Sequence, residues 1–489
     1  MSAREILTNA YTYPLPKFPT YIEGVYSAVL VVQSAVQLIT VNNLPSTADL
    51  AVVGITTPII TFSLANNASF IGMISGFSNV DYDAGTCSVW ICYANTTAID
   101  IRFWVCQSST QLGSPALMPY VNYNIKNTRF SSLNGPTTVA TPSVKWTFTP
   151  PSGTSFNDNA IVVGESGILY VAEDAGVLLA ITDNGSSASQ LWTVATGFSG
   201  LVAPTLGLNN VLYGVGTNTM KYVSNINTVS PVVVWTVTLA SLTAPLPPII
   251  KYDINGTPTI YVSGTGKIYS VSDSGLVNWS FTPVNSITYL GIKADGSVIY
   301  ACAGNKLYAL TTTGVQKWVL TVGATSGYPT IGADGTIYFV SANSYIYAVT
   351  DNGASGTIRW TLNTSAVGFL NFALAIGSNG IIYTTNSTTD NANTKVWAIQ
   401  DNGASGSIKW TAINLPTSPQ FLTAPTLGNN GVIYTTGDYG YIACITDNGE
   451  SYTINWGFQP VGAGFSSPCS IGANNRIYYG GDHDYIIAI

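Results

Sequence analysis

Four basic residues each stand immediately before a tryptophan: Lys145-Trp146, Lys317-Trp318, Arg359-Trp360 and Lys409-Trp410. Four aspartates, Asp183, Asp351, Asp401 and Asp447, each open the same Asp-Asn-Gly turn. A basic group near a carboxylate can hold an anion or move a proton, which makes these the first places to look for catalysis. Their recurrence points elsewhere, because a catalytic residue is singular whereas a residue that builds a fold repeats. The aspartates are expected to serve their own turns. The basic residues are expected to face solvent, since alternation along a strand turns them away from an inward-packed tryptophan. The single histidine, His483, lies in Gly480-Gly481-Asp482-His483-Asp484. A metal there would need further ligands, and the matching stretch Thr436 to Gly440 is an ordinary loop. No Gly-x-Ser-x-Gly elbow, Walker loop or zinc spacing occurs. The sequence therefore assigns no catalytic, cofactor-binding or metal residue.

Six cysteines are spread along the chain. A hairpin turning at Asn95 to Ala98 would set Cys87 opposite Cys106, as two buried thiols or as a bonded pair. Cys302, Cys444 and Cys469 read as packing residues.

Charged residues make up 8% of the 489 positions, and Gly, Ser, Thr and Asn fill the polar places. That mix favours strands and tight turns over surface helices, whose outer faces usually carry Glu and Lys. With 46% apolar residues the chain can bury a large core. A net charge of −7 and 16 basic residues without a basic cluster exclude a phosphate-backbone binder. The apolar stretch Tyr26 to Val41 contains Gln33 and Gln37 and suits a sheet better than a bilayer. The first residues lack the apolar core of a signal peptide. Seven Asn-x-Ser/Thr sequons, at Asn67, Asn95, Asn184, Asn255, Asn278, Asn363 and Asn386, are candidate glycan sites.

The elements that hold these residues are repeats. Eight tryptophans, Trp146, Trp192, Trp235, Trp279, Trp318, Trp360, Trp410 and Trp456, recur at spacings of 39 to 50 residues, the length of a propeller blade. Each repeat also carries a short apolar run ending in tyrosine: Tyr170, Tyr213, Tyr261, Tyr300, Tyr338, Tyr383, Tyr434 and Tyr478. Within a repeat, Asp-Gly or Asn-Gly supplies the positive φ of a hairpin before the tyrosine strand. A third strand follows, then a second hairpin, then the strand with tryptophan. A lone four-stranded blade cannot bury both faces, so blades must stack radially, with Trp and Tyr between them. After Trp456 only three strands remain, while an orphan fourth strand, Val144 to Phe148, precedes the first full repeat. Pairing these ends completes an eighth blade and removes two exposed edges. The fold class is all-β: an eight-bladed β-propeller over 139–489, preceded by a small antiparallel β-rich domain with an extended arm and connector over 1–138.

This repeat resembles the pyrroloquinoline-quinone (PQQ)-like repeat family. The family's Ala-x-Asp, Gly, Trp pattern has counterparts in Ala180 to Gly185 before Trp192, Ala348 to Gly353 before Trp360, and Ala443 to Gly449 before Trp456. Asp falls one place later than in the family pattern, and the fourth repeat replaces it with Thr311-Thr312-Thr313-Gly314. The resemblance implies the propeller and leaves open a dehydrogenase or an assembly scaffold. A quinoprotein dehydrogenase would need converging basic groups, an Asp/Glu/Asn set for calcium and an aspartate base, and family enzymes commonly place adjacent cysteines at the cofactor. No Cys-Cys pair occurs, and the propeller holds eleven Lys or Arg.

Residues 1–138 read as strands at Ala28 to Val32, Val36 to Val41, Ala51 to Ile55, Ile59 to Leu64, Cys87 to Tyr93 and Ile99 to Cys106. The proline-spaced arm Tyr11 to Pro19 precedes them, and a Ser/Thr/Asn/Pro-rich connector, 107–142, follows. The charge-poor composition is similar to that of virion exteriors and other extracellular assemblies. The expected function is a non-catalytic structural or display protein without a cofactor, its N-terminal domain anchored on protein partners or sister subunits and its propeller projecting. The alternatives are a quinoprotein dehydrogenase and an assembly scaffold.

Overall fold

The structure, a computed structural model, describes the backbone of residues 86–94 and 99–107, parts of 126–137, and most of 142–489 apart from short loops. Two compact units divide the chain: residues 1–115 with 252–257, and residues 116–251 with 258–489. The described part of the first includes a hairpin of Thr86–Ala94 and Ile99–Gln107, in which Cys87 pairs in register with Cys106. The cysteine side chains, the arm and the four earlier strands read from the sequence lie outside the described residues, as does His483.

The second unit is the eight-bladed propeller. Its blades span 162–195, 205–238, 249–281, 288–321, 330–363, 369–412, 426–458 and, for blade 8, 470–488 with 146–148. Each is an antiparallel meander because its turns carry residues that reverse the chain tightly. Gly335, Gly380 and Gly431 take φ of 82°, 76° and 73° at the first hairpins of blades 5, 6 and 7, a conformation glycine adopts without steric cost. Blade 6 carries one further short strand, Phe369–Leu370. Closure follows the sequence reading: Trp146 pairs with Ala488, Thr147 with Ile487 and Phe148 with Ile486. Among the described residues no helix is long and apolar enough to cross a membrane.

The first strand of each blade lies innermost, and hydroxyls tie the inner ring together. Thr205 Oγ1 donates to Pro248 O at 2.7 Å, from blade 2 to blade 3, and Thr426 Oγ1 to Cys469 O at 3.0 Å, from blade 7 to blade 8. Ser470 Oγ donates to Ile161 O and so joins blade 8 to blade 1.

Within every blade the repeat tyrosine and tryptophan meet over one residue of the third strand. In blade 5 Ala348 pairs with both Tyr338 and Trp360. The eight Tyr–Trp pairs have ring centroids 5.9–6.3 Å apart, within the favourable range for tilted aromatics. A small residue in the middle is what lets the rings touch, and this is the physical content of the alanine in the repeat motif. Blade 2 has Tyr222 there instead, stacked on Tyr213 at 5.2 Å, and its Trp235 is only half-buried. Trp279 is half-buried too, so the eight tryptophans are not equivalent as the spacing implied; the other six are at most 6% exposed.

Candidate functional site

The recurring polar residues meet where one blade abuts the next. In blade 5, Trp360 Nε1 donates to Asp401 Oδ1 of blade 6 at 3.0 Å and Tyr338 Oη to Asp401 Oδ2 at 2.5 Å. The same Asp401 Oδ1 accepts Gly403 N–H of its own turn at 2.7 Å. Blade 4 repeats the pattern on Asp351, blade 6 on Asp447 and blade 8 on Asp183, each through its Trp indole and Tyr hydroxyl. The aspartates do shape their turns, as expected. They also staple each turn to the preceding blade, a role sequence reasoning missed. One signal was present: each Asp-Asn-Gly turn places its aspartate three residues after the small residue that seats the tryptophan.

Burial pushes the carboxyls of Asp183, Asp351 and Asp401 up, but their donors outweigh it. Tyr478, Gly185, Trp146 and Arg476 hold Asp183 below the usual carboxylate range. At Asp351 the donors are Tyr300, Gly353 and Trp318, with the charge of Lys317. At Asp401 they are Arg359, Tyr338, Gly403 and Trp360. Burial and the facing carboxylates raise the Tyr300, Tyr338 and Tyr478 hydroxyls. These groups are therefore fixed as hydrogen-bond donors and acceptors.

The basic residues divide. Lys145 and Lys317 are exposed, as alternation along the strand requires. Arg359 and Lys409 correct the expectation of open solvent: Arg359 bridges Asp401 and Asp334, and Lys409 pairs with Glu450 at 2.7 Å. Their reach across the blade interface, beyond what alternation along a strand can show, explains the difference.

The remaining interfaces use another acceptor. Trp192 donates to Ile226 O, Trp235 to Asp273 O and Trp279 to Thr312 O, all main-chain carbonyls of the next blade's turn. Between blades 7 and 8 Tyr434 Oη donates to Pro136 O at 3.1 Å.

That last contact belongs to a segment the sequence presented as a connector. Lys126, Asn127, Arg129 and Ser131 lie against the inner strands. Lys126 O accepts Ile331 N–H, and Asn127 Nδ2 donates to Leu290 O and Pro329 O, in blades 4 and 5. Arg129, 1% exposed, donates through Nε to Pro425 O and through Nη2 to Thr426 Oγ1 of blade 7. Arg129 and Ser131 also exchange main-chain hydrogen bonds with Leu427. The described residues of this segment thus reach the inner strands of blades 4, 5 and 7, and Leu133 and Val144 join the apolar cluster around Trp456.

A quinone with a calcium ion would need converging cations and a carboxylate set. Arg129 is committed to inner-strand acceptors, and among the described residues no group of three or more His, Cys, Asp or Glu could hold a metal. Cys302, Cys444 and Cys469 are buried free thiols. Burial pushes Cys444 up to about 11 and Cys469 up to about 12, so they pack rather than react.

A family model described as outer membrane protein assembly factor BamB matches residues 264–456, and the resemblance to PQQ-like repeats holds over that stretch. No curated protein sequence matches the chain. BamB from Moraxella catarrhalis is similar in structure, with 17% identity and a TM-score of 0.51 over 72% of this chain and 96% of that one. Quinohemoprotein alcohol dehydrogenase from Comamonas testosteroni shares 12% identity at a TM-score of 0.56, over 76% and 80%. Sqt1 from Saccharomyces cerevisiae shares 10% at 0.54, over 73% and 99%. At such identities the likeness is one of fold, and it spans enzyme and assembly factor alike.

Proposed function

We propose that the protein is a non-catalytic interaction or display propeller of a protein assembly. The observation that carries this reading is the outer strand of blade 2. Val232, Val233 and Val234 are 48%, 40% and 50% exposed on Val232–Thr238, and Val229 before them is 73% exposed. The strand is an edge of its sheet and carries no charge. Proteins usually protect such an edge with Lys, Pro or a cover, because its unpaired backbone groups invite another chain. An exposed apolar edge retained on a folded domain suits an interface with a protein partner. The similar assembly factor supports the reading at the level of fold.

The assembly itself we place at a virion surface or another extracellular structure, on the charge-poor composition, with anchoring by the N-terminal domain. Glycans would find Asn184, Asn278 and Asn363 exposed, but Asn386 is buried with its Oδ1 accepting Lys395 N–H, so that sequon is closed in the folded state.

The test replaces Val232 and Val234 together by lysine in the full chain. Thermal unfolding should stay unchanged, since both side chains are exposed, while co-sedimentation with the native assembly should be lost. Undiminished incorporation would overturn the role of this edge. Redox turnover on adding quinone and calcium would overturn the non-catalytic reading.

A further inference from the structure

Four blade interfaces converge on a turn carboxylate; the interface between blades 3 and 4 has the donors without the carboxylate. Thr312 stands at the repeat position of Asp351, Asp401 and Asp447. Its turn closes tightly, with Gly314 N–H donating to Thr311 O at 3.0 Å, and Trp279 Nε1 donates to the Thr312 carbonyl at 2.8 Å. Tyr261 is the counterpart of Tyr300, Tyr338, Tyr383 and Tyr478, each of which donates to an aspartate. Its own hydroxyl has no hydrogen-bond partner among the described residues. It faces a cleft of about 480 Å³ shared with Lys251, Asn278, Thr312 and Thr313.

Lys251 is out of pattern as well. Pro248-Ile249-Ile250-Lys251 aligns with Pro329-Thr330-Ile331-Gly332, so the lysine replaces a repeat glycine. Its stem lies across the interface, since a Cβ on Gly296 of blade 4 would come within 2.5 Å of Lys251 Cε. Blade 4 also has a lysine at this repeat position, Lys293, but that one pairs with Asp295 at 3.1 Å. Lys251 has no ion-pair partner among the described residues. The interface therefore presents an ammonium, a phenol and an amide around a space where four other interfaces hold a carboxylate.

We infer that this cleft binds the carboxylate of a separate molecule, in the place that the turn aspartate takes at four of the other interfaces. A carboxylate accepts from both Lys and Tyr, and hydrogen bonds to an ionised acceptor are the strong ones. The tight turn explains why the chain does not supply the group itself: Asp273, at the same position of the similar turn in blade 3, is exposed and leaves Trp235 to its main-chain carbonyl. The carboxylate can come from a free small acid or from an acidic side chain of a protein. The inference does not rest on the partner reading above.

The test follows the Trp279 indole N–H resonance of the full chain, assigned with Trp279→Phe, during titration with sodium acetate and with the blocked peptide acetyl-Asp-Gly-amide. Sodium chloride holds the ionic strength constant. A saturable shift is expected, and Lys251→Met should weaken binding by about tenfold or more, the scale of one charge-assisted contact. Tyr261→Phe should weaken it too, and Lys317→Met should leave it unchanged. Tighter binding of the peptide than of acetate would point to a protein carboxylate, and equal binding to a small acid; both support the site. No saturable shift, or one that survives both Lys251→Met and Tyr261→Phe in variants that unfold like the parent, would overturn it.

Discussion

Asp401→Ala removes four interactions at once, and their sum can be bounded from the structure. The carboxylate accepts from Trp360, Tyr338, Gly403 and Arg359, and its side chain is 10% exposed. Hydrogen bonds to a charged group contribute roughly 1.5–3 kcal/mol each, but contributions within one network are not additive. Removing one partner of a buried ion pair costs about 3–5 kcal/mol. Arg359, 26% exposed, keeps Asp334 and some solvent, which places the expected loss near the lower end, about 3 kcal/mol. Asp401→Asn retains one acceptor oxygen and should cost less, about 1–2 kcal/mol. The control is Asp273→Ala: the same repeat position, yet exposed, with Trp235 bonded to the main-chain carbonyl. It should stay within about 0.5 kcal/mol of the parent. Urea unfolding of the full chain, followed by tryptophan fluorescence, measures all three. Equal losses at Asp401 and Asp273 would refute the staple and return both residues to turn formation alone.

Three further outcomes are expected. Acid should loosen the interfaces between blades 4 and 5, 5 and 6, and 8 and 1: Asp183, Asp351 and Asp401 titrate below the ordinary carboxylate range when folded. Their stabilisation is therefore complete above the unfolded value of about 4 and is lost as pH falls through the lower folded values. A pH series of unfolding midpoints should show a drop there that is shallower in Asp401→Asn. Removing Tyr485–Ala488 with Ile489, or the closing strand Trp146–Phe148, should destabilise the whole propeller by exposing an edge in blade 8; an unchanged melting temperature would contradict closure. Trp360→Ala should cost about 3–5 kcal/mol and Trp279→Ala clearly less, because only the first is buried.

The propeller was legible because its determinants repeat. Tryptophan, tyrosine and turn residues recur at blade spacing, and the orphan Val144 to Phe148 announced closure. The staples were half-legible. Asp-Asn-Gly identified a turn, but a turn residue that also accepts from the preceding blade looks the same in one dimension as one that does not. Position 273 is aspartate and fails to staple; position 401 is aspartate and staples. The difference lies in the longer loop of Asp401, which aims Oδ1 at both Gly403 and Trp360. The tight Ser272-to-Leu276 closure of blade 3 leaves Asp273 exposed instead.

The channel segment was hidden for a different physical reason. A strand that joins one sheet must alternate, because one of its faces is buried. The described residues Lys126, Asn127, Arg129 and Ser131 join no single sheet. They exchange hydrogen bonds with the inner strands of blades 4, 5 and 7 in turn, so no periodicity is imposed. Their partners are largely main-chain carbonyls, which the amide of Asn127 and the guanidinium of Arg129 satisfy in place of water. A segment selected for that task is polar and irregular, and its composition is that of a connector. Arg129 is the distinguishing residue: a guanidinium 1% exposed in a linker has to find its acceptors inside the protein. The same commitment takes up the Arg129 cation on Pro425 and Thr426.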